Sequence, residues 1–587
     1  MRYIEKVKNL KFEELIVKLI YCLLFVSLVE MTVSGNAFTS AEYFSEVSLP
    51  MHLISFAALS AFSIILLDKK FDPYICLAVL LVLLFSVNMQ NTDYKGIYLA
   101  LVSAGVMAGF VFYFSKKIAF PKIGDKAAWV IVGLCALFFT LFVGLLTSYK
   151  YLSHLTPNFD FGIFAQMFHY MKKDLSPMTT CERDGLLSHF AVHFSPIMYL
   201  ALPFYALIPS PVTLLMFQAL AVGSGAIPLF LLSKRLGLSN KKTVALCAAY
   251  ALHPVLIGAN LYYFHENCFL APLLLWLFYF LEKDAKVSSL IASGVFALAV
   301  CLVKEDAPVY IFFIGLYFLF SGKGKRRGLA LMMLAAAYFL FVTSYLSANG
   351  EGIMAYRYGN YIFEKDGSIY SVVINLIKNP SYLLTQLMKA EKLEFLLFMT
   401  CPLAFIPFAI KKPSGVILLL PMILINFMTE YKYQYDIGFQ YTYASVAFLF
   451  YLSAINLTTV KGETAKKLLV SAFAASLIFF ASTHLTKLPD AVKYYGDHTP
   501  VIESINEGLD SIDKDKSVTA TTWLVPALWD RDTLYQFEYT ENETDVYVFD
   551  LRFSLTDKAK AKIDELTENG YKEVYRVERA VVIYEKN

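Results

Sequence analysis

The 587-residue sequence has little charge: Asp, Glu, Lys and Arg together make up 17% of it, against about 25% in ordinary soluble proteins. It has no Cys-X-X-Cys pair, which argues against a zinc or redox motif of that kind. It also has no Walker sequence, no glycine-rich nucleotide loop and no solenoid-type repeat. These absences exclude an ordinary soluble protein and the common nucleotide-binding classes.

Apolar sequence is abundant instead, with 57% hydrophobic and 16% aromatic residues. A run of about 20 apolar residues can cross a bilayer as a helix. We therefore predict an all-α polytopic transmembrane bundle of about 15 spans, followed by a small extracytoplasmic α/β domain. The predicted spans lie near residues 15–34, 50–67, 73–90, 97–115, 127–147, 212–233, 243–262, 266–282, 287–303, 307–321, 328–346, 394–410, 414–429, 441–458 and 467–485.

Loop charges predict the orientation. The Lys and Arg clusters of the short loops all fall on one side of the membrane if the chain has these spans. Because basic loops stay inside, we predict a multi-pass protein of the plasma membrane. Its N-terminus is then cytoplasmic and its C-terminal domain extracytoplasmic.

The segment 193–209 decides this orientation, because counting it as a span would move every later loop to the opposite side of the membrane. It is apolar enough to count as a span, but Pro196, Pro203 and Pro209 interrupt it, and proline breaks the helical hydrogen-bond ladder. We interpret it as an interfacial or half-inserted helix on the outer face. A true sixteenth span is the alternative.

Three parts follow from these patterns. We predict an N-terminal four-span membrane segment over residues 1–126 and a membrane core over 127–487. The core has two long outer loops, 148–211 and 347–394. Residues 488–587 form the acidic domain, since the stretch from Asp490 to the end has 12 Lys and Arg against 21 Asp and Glu. This charge distribution gives no sign of nucleic-acid binding.

The tail reads as alternating helices and strands. "TPVIESINEGLDSI" and "TDKAKAKIDELTENG" predict helices capped by Thr499 and Thr556, the second ending at Gly570. "SVTATTWL" and "DVYVFDLR" predict strands, and "EVYRVERAVVIYEK" predicts a hairpin. Because these strands are too few for a large independent core, we expect the tail to dock on the membrane part.

The first candidate for chemistry is Asp160, in "NFDFGIFAQMFHY". An acid between Phe159 and Phe161 near a membrane surface is partly desolvated, which makes it a better base. Gly162 lets another backbone or a ligand approach closely. The alternative for Asp160 is a solvated loop acid, or an N-cap of the amphipathic run that follows.

Histidines and charged residues in other apolar stretches are further candidates. His189 and His193 are four residues apart, so on one helix they share a face. That spacing suits metal binding or a joint contact to phosphate. Hydrogen-bonded interfacial histidines are the alternative. His265 and Glu266, in "YYFHENCF", fall in a tight outer turn between two predicted spans.

"VKEDAPVY" places Lys304, Glu305 and Asp306 in the middle of an apolar run. Such charges are costly unless they are paired or face water. In the functional interpretation Lys304 binds phosphate, and Glu305 or Asp306 holds a divalent metal ion or a sugar hydroxyl. In the other interpretation the residues form a surface turn, with Lys304 paired to an acid.

The second outer loop contains "AYRYGNYIF". Its Arg357 can clamp a phosphate, and its neighbour Tyr358 belongs to the same candidate binding set. An ordinary surface arginine explains Arg357 equally well.

At these residues the sequence resembles a known family. The strings "NFDFGIFAQ", "HFAVHFSPIMYLALPFYALIPSPVTLLMFQAL", "FHEN" and "VKEDAPVYIFFIGLY" resemble the bacterial membrane proteins of domain-of-unknown-function family 2079. The resemblance covers about residues 130–587 and includes "WLVPALWDRDTLYQF" in the tail. Residues 1–126 look like an additional segment.

That family is similar in layout to the GT-C glycosyltransferases. The resemblance implies a catalytic acid in the first outer loop, and Asp160 occupies that place. It implies a sugar donor linked to polyprenyl phosphate and an envelope glycan, lipid or protein as acceptor, with membrane lipid around the spans. The Asp-Glu pair of some protein mannosyltransferases is absent, because Phe161 follows Asp160.

Two further functions stay open at this point. The number of spans also suits a transporter or a lipid or glycan flippase, although such proteins usually show repeats and ionisable groups near the bilayer midplane. A scaffold for envelope assembly, with the acidic tail as its partner-binding module, is the third reading.

Overall fold

The structure of the chain is a computed structural model. It describes residues 10–35, 41–90, 96–158, 160–283, 286–350, 352, 355–363 and 369–587. Residues 1–9, on which the predicted cytoplasmic N-terminus falls, and Phe159 lie outside the described residues.

Helices dominate the first 497 residues. From the start of the chain to the first outer loop they are α1 Phe12–Ser34, α2 Ala41–Glu46, α3 Leu49–Leu66, α4 Asp72–Gln90, α5 Gly96–Phe114, α6 Asp125–Leu152 and α7 Phe161–Asp174. The next group is α8 Leu202–Leu207, α9 Pro211–Ser224, α10 Ala226–Arg235, α11 Asn240–Ala251, α12 Pro254–Asn260, α13 Leu270–Leu281, α14 Val287–Cys301, α15 Pro308–Phe320 and α16 Lys325–Asn349. The last group is α17 Ile369–Lys378, α18 Pro380–Leu387, α19 Ala390–Thr400, α20 Leu420–Met422, α21 Tyr443–Thr459, α22 Gly462–Thr483 and α23 Lys487–Asp497.

Within the described residues, nine helices are long and apolar enough to cross a membrane. Four shorter apolar helices add to them, Glu266–Leu281, Val287–Cys301, Pro308–Phe320 and Pro413–Phe427. The predicted polytopic helical bundle is confirmed. The count of 15 spans stays a prediction.

Four of the nine long helices fall within residues 1–126, where four spans were predicted. They share a hydrophobic core with one face of α22, where Ile478 and Phe479 meet Cys22 and Cys76. Leu397 and Phe398 of α19 pack against the same core, so the N-terminal segment contacts the rest of the bundle through α22 and α19.

The segment 193–209 forms no long helix. It consists of a short 3-10 helix, Pro196–Leu200, and the six-residue α8. Leu200, Phe204, Leu207 and Ile208 expose half or more of their surface. The prolines interrupt the helix as expected, and the interfacial placement of this segment stays a prediction.

The C-terminal domain is a five-stranded mixed sheet with one helix on each face. Its strands follow the short β1 Met178–Thr179 and β2 Leu187–Ser188 of the first outer loop, and are β3 Val518–Ala520, β4 Leu534–Gln536, β5 Val546–Asp550, β6 Tyr571–Val577 and β7 Val581–Lys586. The strand order is β4-β3-β5-β7-β6, parallel from β4 to β5 and antiparallel from β5 to β6.

Alternation along β5 explains the two layers. Val546 and Val548 face the helix α24, Thr499–Asp510, whereas Tyr547 and Phe549 face the helix α25, Asp557–Glu568. Successive strand residues point to opposite faces of a sheet, and both faces here are covered. This explains why β5 is buried throughout.

The tail was predicted well except at two places. Thr556 caps α25 by accepting a hydrogen bond from the Ala559 amide at 3.2 Å, and Gly570 after it has a φ of +84°. Thr499 is not a cap. It is the first residue of α24, and its hydroxyl donates instead to the Tyr495 carbonyl. The prediction also missed the three-residue strand β4.

The tail docks on the first outer loop through buried hydrogen bonds. The Thr180 hydroxyl donates to the Leu534 carbonyl at 2.7 Å and accepts from the Leu534 amide at 2.9 Å. Arg552 donates to the carbonyls of Ser153 and His154 at 2.8 and 2.7 Å. Backbone groups of one part are thus satisfied by the other, which fixes their relative position.

Candidate functional site

Asp160 lies at the N-terminal end of α7. Its side chain, 35% exposed, makes no capping hydrogen bond to the first turn of that helix. Asp160 therefore occupies the N-cap position, as that interpretation expected, but its carboxylate does not act as a cap. The carboxylate lies beside Tyr262, and burial first, then this negative charge, raises the pKa of the Tyr262 hydroxyl.

Gly162 is needed for close packing against the preceding loop. A Cβ at this position would collide with the side-chain amide oxygen of Asn158 and approach Val525 of the tail to 3.2 Å. Asn158 in turn donates to the Gln536 side chain at 2.8 Å. The predicted close approach at Gly162 is made by the protein itself, and it holds the start of α7 against the C-terminal domain.

A chain of charged groups runs inward from Asp160. The nearest Asp160 oxygen is 3.8 Å from His265 Nε2. His265 Nδ1 is 2.8 Å from one oxygen of Glu266, and the other oxygen of Glu266 accepts from Lys304 Nζ at 2.7 Å. Glu266 is fully buried and Lys304 is 1% exposed. The cluster thus connects a half-exposed acid to a buried ion pair.

Two glutamines hold the His265 turn in place. Gln218 on α9 donates to the carbonyls of Asn260 and Tyr263, at 3.2 and 2.6 Å, and accepts from the His265 amide at 2.8 Å. These bonds stabilise Tyr263 at a φ of +74°, a conformation that costs about 1–2 kcal/mol for a non-glycine residue. Gln440 Nε2 lies 3.1 Å from His265 Nε2, so donation from this amide leaves the ring proton on Nδ1, the nitrogen 2.8 Å from a Glu266 oxygen.

Lys304 is buried, whereas the alternative interpretation placed it in a surface turn. Burial opposes its charge, but Glu266 and then Glu305 outweigh burial and raise the pKa of Lys304. The same alternative expected it to pair with an acid, and it does. Its ammonium group also lies 5.9 Å from the centre of the Tyr441 ring.

The two histidines of the first outer loop pair with separate carboxylates. They lie on one turn, with ring centres 5.9 Å apart. His193 Nδ1 is 2.8 Å from Glu305, and His189 Nδ1 is 2.8 Å from Glu182. Burial disfavours the charged imidazole of His189, but the Glu182 carboxylate outweighs it and raises the pKa of His189. Each ring nitrogen Nδ1 is therefore engaged by an acid.

Glu305 and Asp306 differ in charge although they are adjacent. Burial acts to raise the pKa of Glu305, but His193 and Lys304 outweigh it and hold this pKa below its ordinary value. Burial, and then the charge of Glu305, raises the pKa of Asp306. One acid is thus held ionised and the other retains a proton more readily.

Arg357 is buried among aromatic rings of the tyrosine-rich loop before α21. Its guanidinium lies 4.8 Å from the Tyr431 ring centre and 5.2 Å from that of Tyr441, whose hydroxyl is 3.5 Å away. The interpretation as an ordinary surface arginine is wrong, because only 9% of Arg357 is exposed. Tyr358 points elsewhere, since its hydroxyl donates to the Leu424 carbonyl at 3.2 Å.

Most predicted site residues therefore converge at one end of the bundle. Asp160, His265, Glu266 and Lys304 form one connected cluster, and Glu305 links Lys304 to His193. Among the described residues, no group of three or more His, Cys, Asp or Glu side chains is arranged to hold a metal ion. The roles of Glu305 and Asp306 as metal ligands stay a prediction.

Sequence reasoning missed Gln218, Gln440, Tyr262 and Glu182. Tyr262 precedes His265 in the "YYFHENCF" string, and Gln440 lies in the tyrosine-rich loop. Gln218, a lone amide within an apolar helix, is a signal that a search for buried polar groups would find. Glu182 has no such signal.

The chain belongs to the family described as "Predicted membrane protein (DUF2079)", whose model matches residues 150–579. This range contains all the candidate site residues and leaves out the four N-terminal spans. Among solved structures, the chain is similar to ArnT from Cupriavidus metallidurans bound to undecaprenyl phosphate, with 11% identity and a TM-score of 0.46 over 78% of this chain and 98% of that chain. No curated protein matches.

Proposed function

We propose that the protein is a GT-C-type membrane glycosyltransferase. In this proposal it transfers a sugar from a polyprenyl-phosphate donor to a cell-envelope acceptor on the outer face of the membrane. The observation that carries the proposal is the half-exposed Asp160 carboxylate, 3.8 Å from a buried His265 that contacts the Glu266–Lys304 ion pair. The layout resemblance of the family to GT-C enzymes supports it.

Asp160 is the proposed general base. An acceptor hydroxyl attacks the anomeric carbon of the donor, the bond from that carbon to the phosphate oxygen breaks, and the proton of the hydroxyl passes to Asp160. His265 and Tyr262 position the carboxylate. A general base contributes a factor of about 10²–10⁴ to such a step.

The departing polyprenyl phosphate requires positive charge. We assign this role to Arg357, which the tyrosine rings hold in a fixed orientation, with His193 beside the cluster as a second contact. Desolvated cations stabilise developing negative charge more strongly than solvated ones do. Lys304 was predicted to bind the phosphate directly, but its burial and its bond to Glu266 suit a positioning role better.

The transporter alternative has weaker support. Transporters commonly place ionisable groups near the bilayer midplane, on broken helices. Here the charged cluster lies at the ends of helices, and His253, at the break between α11 and α12, lies with Nε2 3.3 Å from the Met399 carbonyl. A packed helix break explains His253 without a transport role.

The deciding experiment compares cells that carry the wild-type gene, no gene, or the Asp160→Asn variant. Mass spectrometry of envelope glycans and polyprenyl-linked sugars reports the product. We expect the loss of one defined sugar in the null strain and in Asp160→Asn, with the variant protein still present in the membrane.

Asp174→Asn is the matched control, since it makes the same change at the exposed opposite end of α7. It should leave the glycan profile intact. Full sugar transfer by Asp160→Asn would disprove the base assignment. An unchanged profile in the null strain, together with substrate movement by purified protein in liposomes, would favour a transporter instead.

A further inference from the structure

A second polar region lies at the end of the bundle opposite the candidate site. It is a cleft of about 1000 Å³ formed by the loop before α6 and the N-terminal parts of α11 and α22. Ile123, just before α6, and Ile131, in its second turn, line it, whereas Asp160 follows the other end of that helix. Since α6 has 28 residues, its axis is about 42 Å long. The cleft and the candidate site are therefore on opposite sides of the membrane part.

The cleft has an apolar wall and a cationic rim. Its apolar lining includes Ile118, Val244, Leu469, Val470 and Phe473. Five lysines line it as well, against a single acid, Glu463; the lysines are Lys116, Lys241, Lys242, Lys461 and Lys466. An apolar surface bordered by one sign of charge matches an amphiphilic molecule of the opposite charge.

The positive charge is only partly compensated by the protein. Lys466 pairs with Glu463 at 3.4 Å. Lys241 donates to the Phe120 carbonyl and Lys242 to those of Leu457 and Val460, at 2.6–2.7 Å. These carbonyls orient the two ammonium groups but carry no full charge.

The charges of two of the five lysines are not compensated by a neighbouring group that the structure describes. Within the described part of the chain, no ion pair or hydrogen bond engages the ammonium of Lys116 or Lys461, and Lys461 is close enough to repel Lys242. Mutual repulsion at a fixed site is unfavourable unless an anion relieves it.

Two helices add to the positive potential. Helices α11 and α22 both begin in the cleft, and their N-cap residues, Ser239 and Lys461, make no side-chain capping hydrogen bond. The first N–H groups of a helix lack partners within it and carry partial positive charge. Together with the lysines they favour a phosphate group at this position.

We propose that the cleft binds an anionic phospholipid, with its phosphate among the lysines and an acyl chain along the apolar wall. Basic pockets between transmembrane helices bind such headgroups elsewhere. A soluble anion would leave the apolar wall unused, and a neutral lipid would leave the lysines uncompensated. This inference is independent of the proposed transferase activity, because it concerns the opposite end of the bundle.

The test uses the purified full-length protein in a neutral detergent. Native mass spectrometry measures binding of phosphatidylglycerol and, separately, of phosphatidylcholine with the same acyl chains. We expect preferential binding of phosphatidylglycerol. Lys116→Gln combined with Lys461→Gln should weaken that binding roughly thirtyfold, since each lysine near a headgroup contributes about 1 kcal/mol and a factor of ten in affinity corresponds to about 1.4 kcal/mol, and should leave phosphatidylcholine unaffected.

The double variant Lys325→Gln with Arg326→Gln is the matched control, because it removes two exposed positive charges outside the cleft. It should bind phosphatidylglycerol like the wild type. Ala245→Trp fills the apolar wall without changing charge, and should also reduce phosphatidylglycerol binding. This variant keeps the test decisive if the lysine variant does not fold.

Three results would overturn the proposal. Equal binding of the two lipids would show that charge is not recognised. Equal losses in the lysine variant and its control would place the lipid elsewhere. Competition by glycerol phosphate at the concentration of the lipid would identify a site for a soluble anion, in which the apolar wall plays no part.

Discussion

The two ends of helix α6 are surrounded by positive charge of two different kinds. Beyond its C-terminal end, Lys304 is buried and bonded to Glu266. At its N-terminal end, five lysines border an open cleft with a single acid among them. A buried charge persists in a protein when a partner offsets its desolvation. A charge beside a cleft can instead remain available to a ligand, so the two regions should respond differently to the loss of a lysine.

The largest expected effect is at the buried pair. Lys304→Met leaves Glu266 without its cation, and breaking a buried ion pair from one side costs about 3–5 kcal/mol. Thermal unfolding of the purified protein in detergent measures the loss. The double variant Lys304→Met with Glu266→Gln should recover much of it. A single variant as stable as the wild type would show that the pair is not a structural element.

A smaller effect is expected where the C-terminal domain contacts the loop 148–211. Thr180→Val removes two hydrogen bonds to Leu534 and takes away the partner of its buried amide, at about 1–3 kcal/mol, whereas the Leu534 carbonyl keeps the Cys181 thiol as a donor. Limited proteolysis should then release the tail faster. Thr567→Val, on the exposed face of α25, is the control and should not change the rate. Equal rates for both variants would mean that this contact does not hold the domain.

The His189–Glu182 pair should make the stability of the loop 148–211 sensitive to pH. Its raised histidine pKa contributes stability below the ordinary value of about 6.5, which is lost as the pH rises through the folded pKa. The lowered pKa of Glu182 contributes stability above about 4.3, which is lost as the pH falls. The stability difference between wild type and Glu182→Gln should therefore be largest between these values. A difference independent of pH from 4 to 9 would contradict the pairing.

The smallest effect is expected at the cleft. Lys461→Gln removes a charge that repels Lys242. The unfolding temperature in lipid-free detergent should therefore stay the same or rise slightly, and the free energy of unfolding should change by no more than about 0.5 kcal/mol. The same unfolding assay as for Lys304→Met measures it. A loss comparable to that of Lys304→Met would erase the distinction between the two ends.

Much of the architecture could be predicted because hydropathy patterns depend only on residues that are neighbours in the chain. The four N-terminal helices, the proline interruption near Pro203 and the α25 helix with its Thr556 cap all follow from neighbouring residues. The strand β4 was missed because three residues carry no periodicity, and Thr499 was misjudged because the helix before it ends only at Asp497. Local rules fail where an element is very short or abuts another.

The candidate site was only partly predictable. Charges inside apolar runs, such as Lys304 and Glu266, stand out in a sequence because they are costly there. Their partners do not: nothing in the sequence pairs His193 with Glu305, 112 residues away, or His265 with Gln440. The buried position of Arg357 was likewise undecided, because its loop reads as surface.

The sequence by itself determined that this chain is a helical, multi-pass membrane protein with a small α/β domain at its end. Composition and the periodicity of apolar residues suffice for that, because a helix and a strand each bury apolar residues at a characteristic sequence spacing. The tertiary structure decided which charges are paired and which border an open cleft. Electrostatic pairing depends on distances of a few ångströms between distant segments, and only the packing of the helices sets those distances.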